Sequence, residues 1–240
     1  MLAATIVGSD ELDPLAQLRI DEQPEPDMRE GWSLVDVRAA SINHHDLREL
    51  RGKARRNAPL PRVLGSDAAG VDETGREVIV HALVGDPAWG GNELFDPGAS
   101  MLSDYYDGTL AERVLVPTRN LVAKPPEISL EHAACLPTAY RMLVVVAGAR
   151  EGSTVLVQGA GGGVASAAVI IGRALGVRVW VTSRSDEKRA WALAQGAEHA
   201  FAPGARLPER VDTVLETVGA ATWTHSIKAC VRAARLWSPA

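Results

Sequence analysis

The sequence predicts an α/β protein in which a mostly β domain precedes a doubly wound parallel sheet. In residues 1–123, short apolar runs alternate with Gly, Pro, Asp and Asn, which is typical of a β domain with many turns. From residue 154 onward, β-branched runs alternate with helical patterns, an order typical of parallel strands joined by helices. We therefore assign 1–123 to the first domain and 124–240 to the second, with the boundary beside Pro125 and Pro126.

Strands are predicted in the first domain where apolar runs are bounded by turn residues. Residues 33–39 alternate between apolar and polar side chains, as a half-buried strand does. Residues 77–82 and 111–117 are further predicted strands. After the two prolines, a helix is expected to begin at Ser129 and to carry Glu131 in its first turn.

The second domain is predicted to consist of strand–helix–strand units. Its first helix, 164–175, is apolar nearly all round, with Arg173 as its only charge, so we expect it to be buried against the sheet. The next helix is expected to be capped by Ser185 and to end at Gly196. Four strands are predicted, at 154–158, 177–182, 199–201 and 211–217.

A glycine cluster lies between the first strand and the first helix of this domain. Gly159 lets the chain turn sharply, Gly162 lets backbone approach a pyrophosphate, and Ala165 allows close helix–strand packing. The spacing is Gly-x-x-Gly-x-x-Ala, whereas the stricter Gly-x-Gly-x-x-Gly pattern fails at Val164. An ordinary strand–helix turn is the alternative. The surrounding strand–helix units favour a dinucleotide site, and its predicted residues here are Gly159, Gly161, Gly162, Gly163 and Val164.

The end of the second strand indicates which coenzyme is bound. An acidic residue about 20 positions after the first glycine normally holds the ribose 2′-hydroxyl of NAD, but this chain has no acid there. Asp186 lies beyond the strand, where it suits a helix start. Ser183, Arg184 and Lys188 can instead hold a 2′-phosphate, so the sequence favours NADPH over NADH. The alternative for Arg184 and Lys188 is a solvated helix entrance.

Composition limits the classes of partner and the compartment. A net charge of −5 does not indicate the basic surface that is typical of nucleic-acid-binding proteins. The two cysteines, Cys135 and Cys230, form no disulfide framework, so a cytoplasmic location is expected. The first residues lack the pattern of a signal peptide, and no segment is long and apolar enough to span a membrane.

Several motifs together carry a family resemblance, although none is specific alone. The chain resembles the medium-chain dehydrogenase/reductase superfamily up to about Lys228, and it is most similar to the zinc-free quinone-oxidoreductase branch. The resemblance implies a GroES-like N-terminal domain and a Rossmann domain, with substrate in the cleft between them. The matching segments are residues 40–46, 63–70, 108–112, 159–165 and 216–219.

The branch is indicated by what replaces the zinc ligands. Zinc-dependent relatives carry Cys where this chain has Asn43 or His44, and Gly-His-Glu where it has Gly65, Ser66 and Asp67. Serine is a poor zinc ligand, and residues 86–106 contain no cysteine for a structural zinc. The resemblance therefore implies no metal site. A metal site at residues 44–46 is the weaker alternative, because adjacent residues seldom share one tetrahedral ion.

The resemblance implies hydride transfer from NADPH to a quinone, an enone or a related carbonyl compound. In this family Asn43 lines the nicotinamide and substrate end of the cleft, and Val218 approaches the coenzyme ribose. Thr138 belongs to the segment that reaches the nicotinamide, although about one helical turn of the family spacing is missing before it. Tyr105 and Tyr106 are candidate hydrogen-bond donors, with loop packing as the alternative.

The tail after Lys228 departs from the family pattern. With a suitable choice of codons, residues 230–240 give a family-like strand sequence in another reading frame, so we expect a frameshift near codon 229 and a truncated, incomplete Rossmann sheet that ends at its fourth strand. The alternative function is therefore a catalytically impaired remnant that binds NADP(H) without turnover.

RNA binding, known in some relatives, is disfavoured by the net negative charge of the chain. Because family dimers often pair through the Rossmann sheet edge, a homodimer is included among the candidate assemblies.

Overall fold

Two structural units make up the chain in the computed structural model, Met1–Pro137 and Thr138–Ala240. The structure describes residues 1–53, 59–91 and 93–237. The last three residues of the tail for which a frameshift is expected lie outside these ranges. Each unit is described by itself below.

Short strands dominate the first unit, as its turn-rich sequence predicts. The described strands are β1 (Leu2–Ile6), β2 (Leu18–Glu22), β3 (Trp32–Ser41), β4 (Arg62–Val63), β5 (Asp67–Asp72), β6 (Glu77–Val80), β7 (Leu83–Val84), β8 (Ser100–Met101), β9 (Arg113–Pro117) and β10 (Leu121–Ala123). They form three sheets, ordered β2-β1-β4, β10-β6-β5-β3-β9 and β7-β8. The predicted strands at 33–39, 77–82 and 111–117 are confirmed as β3, β6 and β9.

Two α-helices are described in the first unit, α1 (His44–Leu50) and α2 (Leu130–Cys135), with 3-10 turns at Pro14–Gln17, Glu93–Phe95 and Thr118–Asn120. The predicted cap of α2 is confirmed, because the Ser129 side chain accepts a hydrogen bond from the His132 amide at 3.3 Å. The small side chains of α2 pack on β5, so this helix belongs to the first unit. The predicted domain boundary after Ala123 stays a prediction.

The second unit alternates strands and helices. A short helix, α3 (Pro137–Tyr140), leads into a π-helical segment at Arg141–Val146. The predicted cap and end of the second long helix are confirmed, since Ser185 Oγ accepts the Lys188 amide at 3.3 Å and Gly196 has a φ of +114°. The remaining elements are β11 (Thr154–Gln158), α4 (Gly163–Ala174), β12 (Arg178–Thr182), α5 (Asp186–Gln195), β13 (His199–Phe201), β14 (Val211–Leu215), α6 (Ala220–Ala229) and β15 (Cys230–Trp237).

These strands form one parallel sheet in the order β13-β12-β11-β14-β15. The expectation that the sheet ends at its fourth strand is wrong, because Cys230–Trp237 pairs with β14 as a fifth strand. The pairing register shifts between Val211 and Thr213. Backbone groups at an open strand edge bond to any extended segment that reaches them, so pairing depends little on the side chains that follow α6. The frameshift itself stays a prediction.

The sheet of the second unit forms its core. Leu156, Trp180 and Val214 are fully buried within one apolar cluster. Helix α4 packs against β12 and buries six of its twelve residues, as its apolar sequence predicts in part, whereas its apolar residue Ile170 is exposed. No helix in the described ranges is both long and apolar enough to cross a membrane.

Candidate functional site

The glycine turn after β11 is held in place by the end of β12. Gly159 and Gly161 have φ angles of +83° and +87°, a region that L side chains rarely adopt. The amides of Gly159 and Ala160 both donate to the Thr182 carbonyl, at 3.1 and 2.7 Å. The turn therefore has a fixed backbone rather than a loose loop.

Helix α4 begins directly at this turn. Gly162 is its N-cap residue and supplies no side-chain cap. A Cβ built on Gly163 would have no neighbour within 4 Å, and one on Gly162 would meet only the Gly159 carbonyl, at 3.7 Å. The first amides of a helix lack intrahelical partners and carry partial positive charge. The start of α4 thus presents bare backbone donors next to open space, which suits an anion.

A cavity of about 820 Å³ lies beside the turn. It contains seven of the residues that the sequence predicts for the coenzyme site: Gly159, Gly161, Gly162, Ser183, Arg184, Lys188 and Val218. Gly163 and Val164 form the first turn of the adjoining helix α4. The other lining residues are Ala160, Thr182, Ser185, Pro203, Ala221 and Thr222.

Two cationic side chains border this cavity without a protein partner. Arg184 and Lys188 are exposed, and neither forms an ion pair or a side-chain hydrogen bond with the described part of the chain. Arg189, on the same helix, differs because it pairs with Asp186 and donates to the Ser183 carbonyl. Asp186 is thereby engaged at the helix start, as predicted. The free positive charge at the cavity comes from Arg184 and Lys188.

Ser183 is buried beside these cations. Its hydroxyl oxygen accepts a hydrogen bond from the Ser185 amide at 3.3 Å. The hydroxyl hydrogen remains available to a second acceptor. Ser183 therefore joins the two cations as a donor toward a bound anion.

The turn from β14 into α6 forms the opposite wall. A Cβ added to Gly159 would lie 2.7 Å from Val218 Cγ2, so Val218 packs directly on the glycine turn. The predicted position of Val218 near the coenzyme site agrees with this contact, although its role in binding stays a prediction. Glu216 and Gln158 are fully buried below this wall and hydrogen-bonded to it. From the sequence, Glu216 belonged only to a matching segment, and the one signal for it was a charged residue at the end of an apolar strand.

Asn43 lies in the first unit, at the start of α1. Its backbone N–H donates to Asp46 Oδ2 at 2.7 Å, and its side-chain Nδ2 donates to Asp67 Oδ2 at 2.9 Å. Asp46 also accepts the Gly65 amide at 3.0 Å, which ties α1 to the segment before β5. Burial raises the pKa of Asp46, although these backbone donors oppose the rise. Asn43 is therefore held in one orientation.

Among the described residues, the side chains bonded to the Asn43 side chain include only one usual zinc ligand, the Asp67 carboxylate. Asn43 Nδ2 donates to the Ser66 hydroxyl at 3.4 Å and to the Asp67 carboxylate at 2.9 Å. Zinc in proteins is bound mainly by Cys, His and carboxylate groups in a tetrahedral set. No group of three or more His, Cys, Asp or Glu side chains that could hold a metal occurs in the described ranges.

A second polar cluster is buried around Glu49, a residue of α1. Arg62 ion-pairs with Glu49 and donates to the Ser103 carbonyl at 2.9 Å. Burial raises the pKa of Glu49 to about 7, since the attraction of Arg62 offsets only part of the desolvation. His45 Nε2 lies 3.4 Å from Glu49 Oε1, and burial lowers the pKa of His45. The sequence suggested a metal site at residues 44–46 as the weaker alternative for His45, and it did not predict this cluster.

The remaining predicted contacts lie elsewhere. Thr138 is in α3, outside the residues that line the cavity at the glycine turn. Tyr105 and Tyr106 belong to the first unit, where the Tyr106 ring lies 5.3 Å from Trp32 and 5.4 Å from Tyr105. These ring contacts favour loop packing for the two tyrosines.

Comparison with known proteins matches both halves of the chain. The model of the alcohol dehydrogenase GroES-like domain matches residues 29–126, and that of the zinc-binding dehydrogenase matches 163–238. A zinc-type alcohol dehydrogenase-like protein of Schizosaccharomyces pombe is 33% identical over 216 residues, or 82% of this chain. The match covers 61% of that relative, so the chain spans about three-fifths of its length.

Two solved structures are similar over nearly the whole chain. An NAD-dependent alcohol dehydrogenase superposes with a TM-score of 0.84 and 30% identity, covering 99% of this chain and 77% of the other. The quinone oxidoreductase from Thermus thermophilus, also solved with NADPH, superposes with a TM-score of 0.71 and 31% identity, covering 98% and 72%.

Proposed function

Because the chain belongs to the medium-chain dehydrogenase/reductase superfamily, we propose that it is an NADPH-dependent oxidoreductase that uses no zinc and reduces a quinone, an enone or a related carbonyl compound. The superfamily is a family of oxidoreductases. For this chain, the preference for NADPH and the class of substrate are proposed.

The observation that carries the proposal is the cavity beside the glycine turn. It joins a fixed glycine turn, the N-terminus of α4 and two cations that have no partner in the described ranges, within one space of about 820 Å³. Backbone amides at a helix N-terminus suit a diphosphate. Arg184 and Lys188 suit a second, separate phosphate, because neither is neutralised by a carboxylate among the described residues. A coenzyme with both groups is NADP(H).

The absence of a ribose-binding acid supports NADPH further. In NAD-binding folds, a carboxylate at the end of the second strand accepts the ribose hydroxyls. Here β12 ends at Thr182 and is followed by Ser183 and Arg184. A 2′-phosphate at this place would accept a hydrogen bond from Ser183 and form ion pairs with Arg184 and Lys188.

In this proposal, the residues of the chain bind the coenzyme and orient the reactants. The bound coenzyme supplies the hydride. The amides of Gly163 and Val164 hold the diphosphate, and Val218 packs beside the ribose. Asn43 is proposed to have a positioning role, since its bond to Asp67 fixes its amide plane. The donor set around Asn43 does not fit zinc, so no step depends on a metal ion.

Titration with NADPH and NADH, followed by a quinone assay, distinguishes the proposed oxidoreductase from the catalytically impaired remnant. Nicotinamide fluorescence should show saturable binding of NADPH, with NADH weaker by about tenfold or more, the expected contribution of a charge-assisted contact to phosphate. Addition of a quinone should then consume NADPH at a rate unchanged by a metal chelator. Saturable binding without consumption would support the remnant that binds NADP(H) without turnover, and no binding of either coenzyme would refute both functions.

A further inference from the structure

Glu216 is a buried carboxylate without a cationic partner in the described part of the chain. It follows the last residue of β14 and accepts four hydrogen bonds. Its Oε1 accepts the amides of Val218 and Gly219, both at 2.9 Å, and the Thr222 hydroxyl at 2.7 Å. Its Oε2 accepts the Ser226 hydroxyl at 2.5 Å.

These bonds hold Glu216 in its charged form. Burial alone would raise the pKa of Glu216, but the hydrogen bonds from Ser226, Gly219, Thr222 and Val218 outweigh it and lower that pKa. Gly219 is the N-cap of α6, so the negative charge also lies at the positive end of a helix. The ionised carboxylate is therefore the form that orders the turn between β14 and α6.

The ordered turn determines where Val218 lies. Two of the bonds to Glu216 come from the backbone of Val218 and Gly219. Thr217 adds a third restraint, because its hydroxyl donates to the Gln158 carbonyl at 2.5 Å. Val218 is half exposed, at 49%, yet it packs against the bare face of Gly159. The wall and the turn of the cavity are thus fixed relative to one another.

A second line of hydrogen bonds runs from Glu216 to the glycine turn. Ser226, which donates to Glu216, accepts from Gln158 Nε2 at 2.9 Å. Gln158 Oε1 in turn accepts the Thr182 hydroxyl at 2.5 Å. The Thr182 carbonyl accepts the amides of Gly159 and Ala160. The line therefore joins the carboxyl ends of β14, β11 and β12, where the cavity opens.

We propose that Glu216 is a positioning residue for coenzyme binding, which aligns the β14–α6 turn and the glycine turn into one preformed site through its four hydrogen bonds. This inference rests on the proposed function of the cavity. Glu216 does not line the cavity, so its effect on the coenzyme passes through Val218 and the Ser226–Gln158–Thr182 line. Its loss should weaken a ligand that spans the glycine turn more than one that reaches only Arg184 and Lys188.

The test compares two ligands on matched variants of the full chain. NADP+ spans the glycine turn, whereas adenosine 2′-monophosphate keeps the 2′-phosphate but lacks the whole 5′-diphosphate and the nicotinamide half. Glu216→Gln should weaken NADP+ about tenfold, the usual value of hydrogen bonds to a charged group, and should change the fragment less than twofold. Glu198→Gln is the control, since Glu198 bonds Trp180 and Arg178 at the opposite end of the same sheet.

Each outcome bears on the proposal. If wild type binds NADP+ and folded Glu216→Gln binds it equally well, the positioning role is wrong while the coenzyme site stands. If both ligands weaken equally, or Glu198→Gln weakens NADP+ as much, the effect is general destabilisation and the role is wrong. If Glu216→Gln does not fold, Ser226→Ala decides, because it removes the bonds of Ser226 to Glu216 and Gln158 and leaves the three bonds to Glu216 Oε1. It should weaken NADP+ alone, and unchanged NADP+ affinity would show that the positioning role is wrong. If wild type binds no NADP+, this inference falls with the proposed function.

Discussion

The aliphatic stem of Lys188 lies directly over Gly161. A Cβ built on Gly161 would come within 2.5 Å of Lys188 Cδ and 3.0 Å of its Cε. The contact holds the start of α5 against the glycine turn and keeps the Lys188 ammonium at the border of the cavity. Glycine is therefore required at position 161 for two reasons: its φ of +87°, and the space that the Lys188 side chain occupies.

Gly161→Ala is expected to lower both stability and coenzyme affinity. An L side chain in the left-handed region costs about 1–2 kcal/mol, and the new methyl group displaces the Lys188 stem. The free energy of unfolding in urea should fall by about that amount. NADPH affinity, measured by fluorescence titration, should fall as well.

Gly163→Ala is the matched control for that variant. A Cβ at Gly163 has no neighbour within 4 Å, and alanine suits the first turn of α4 better than glycine. Its stability should be unchanged or higher by up to about 1 kcal/mol. Its NADPH affinity should nonetheless fall, because the methyl group occupies space that the diphosphate needs. Retained affinity in both variants would argue against a diphosphate at this turn.

Removal of the two free cations should change coenzyme preference. Arg184→Ala and Lys188→Ala are each expected to weaken NADPH about tenfold, the value of a charge-assisted bond to phosphate, and to leave NADH nearly unchanged. Arg189→Ala removes the same charge from the same helix but breaks only the contacts to Asp186 and Ser183. It should not alter the ratio of the two affinities. Equal losses for NADPH and NADH in the first two variants would contradict a 2′-phosphate site.

Glu49 should make stability depend on pH near neutrality. Its pKa is raised from 4.5 to about 7 in the folded chain, where it faces Arg62, His45, Asp46 and Asp104. A raised carboxyl pKa contributes stability below pH 4.5 that is lost as the pH rises through about 7.

Glu49→Gln is expected to remove this dependence. The unfolding free energy of wild type minus that of the variant should decline between pH 4.5 and about 7 and then become constant. Urea unfolding at a series of pH values measures the difference. Parallel curves for the two proteins across this range would show that Glu49 titrates normally.

Close packing of α4 on β12 depends on Gly172. A Cβ there would lie 2.3 Å from Val179 Cγ2, a fully buried methyl group. Gly172→Ala should therefore destabilise the fold by about 1–3 kcal/mol despite its better helix propensity. In a double-mutant cycle, Val179→Ala should recover part of that loss. Additive losses would mean that the two side chains do not compete for space.

The second unit could be predicted well from the sequence because its signals are local. The β-branched runs, the glycine turn, the Ser185 cap and the Gly196 end each depend on neighbours in the chain. The cavity residues followed from the same logic, since the carboxyl ends of parallel strands meet at one edge. Gly172 was not predicted, because a close approach between a helix and a strand leaves no local pattern.

Long-range contacts account for the rest. Glu216, Gln158 and Ser226 are separated by up to 68 residues, and nothing in the chain shows that they share hydrogen bonds. The cluster of His45, Glu49 and Arg62 likewise depends on the pairing of β1 with β4. Strand β15 was missed because a family pattern was used to judge the tail, whereas pairing with β14 requires only an extended backbone.

A crystal structure of the full chain grown with saturating NADP+ would locate the coenzyme. We expect diphosphate oxygens within hydrogen-bond distance of the backbone amides of residues 161–164, and a 2′-phosphate in contact with Arg184 and Lys188. Coenzyme density at another place, or an empty glycine turn at saturating coenzyme, would contradict this expectation.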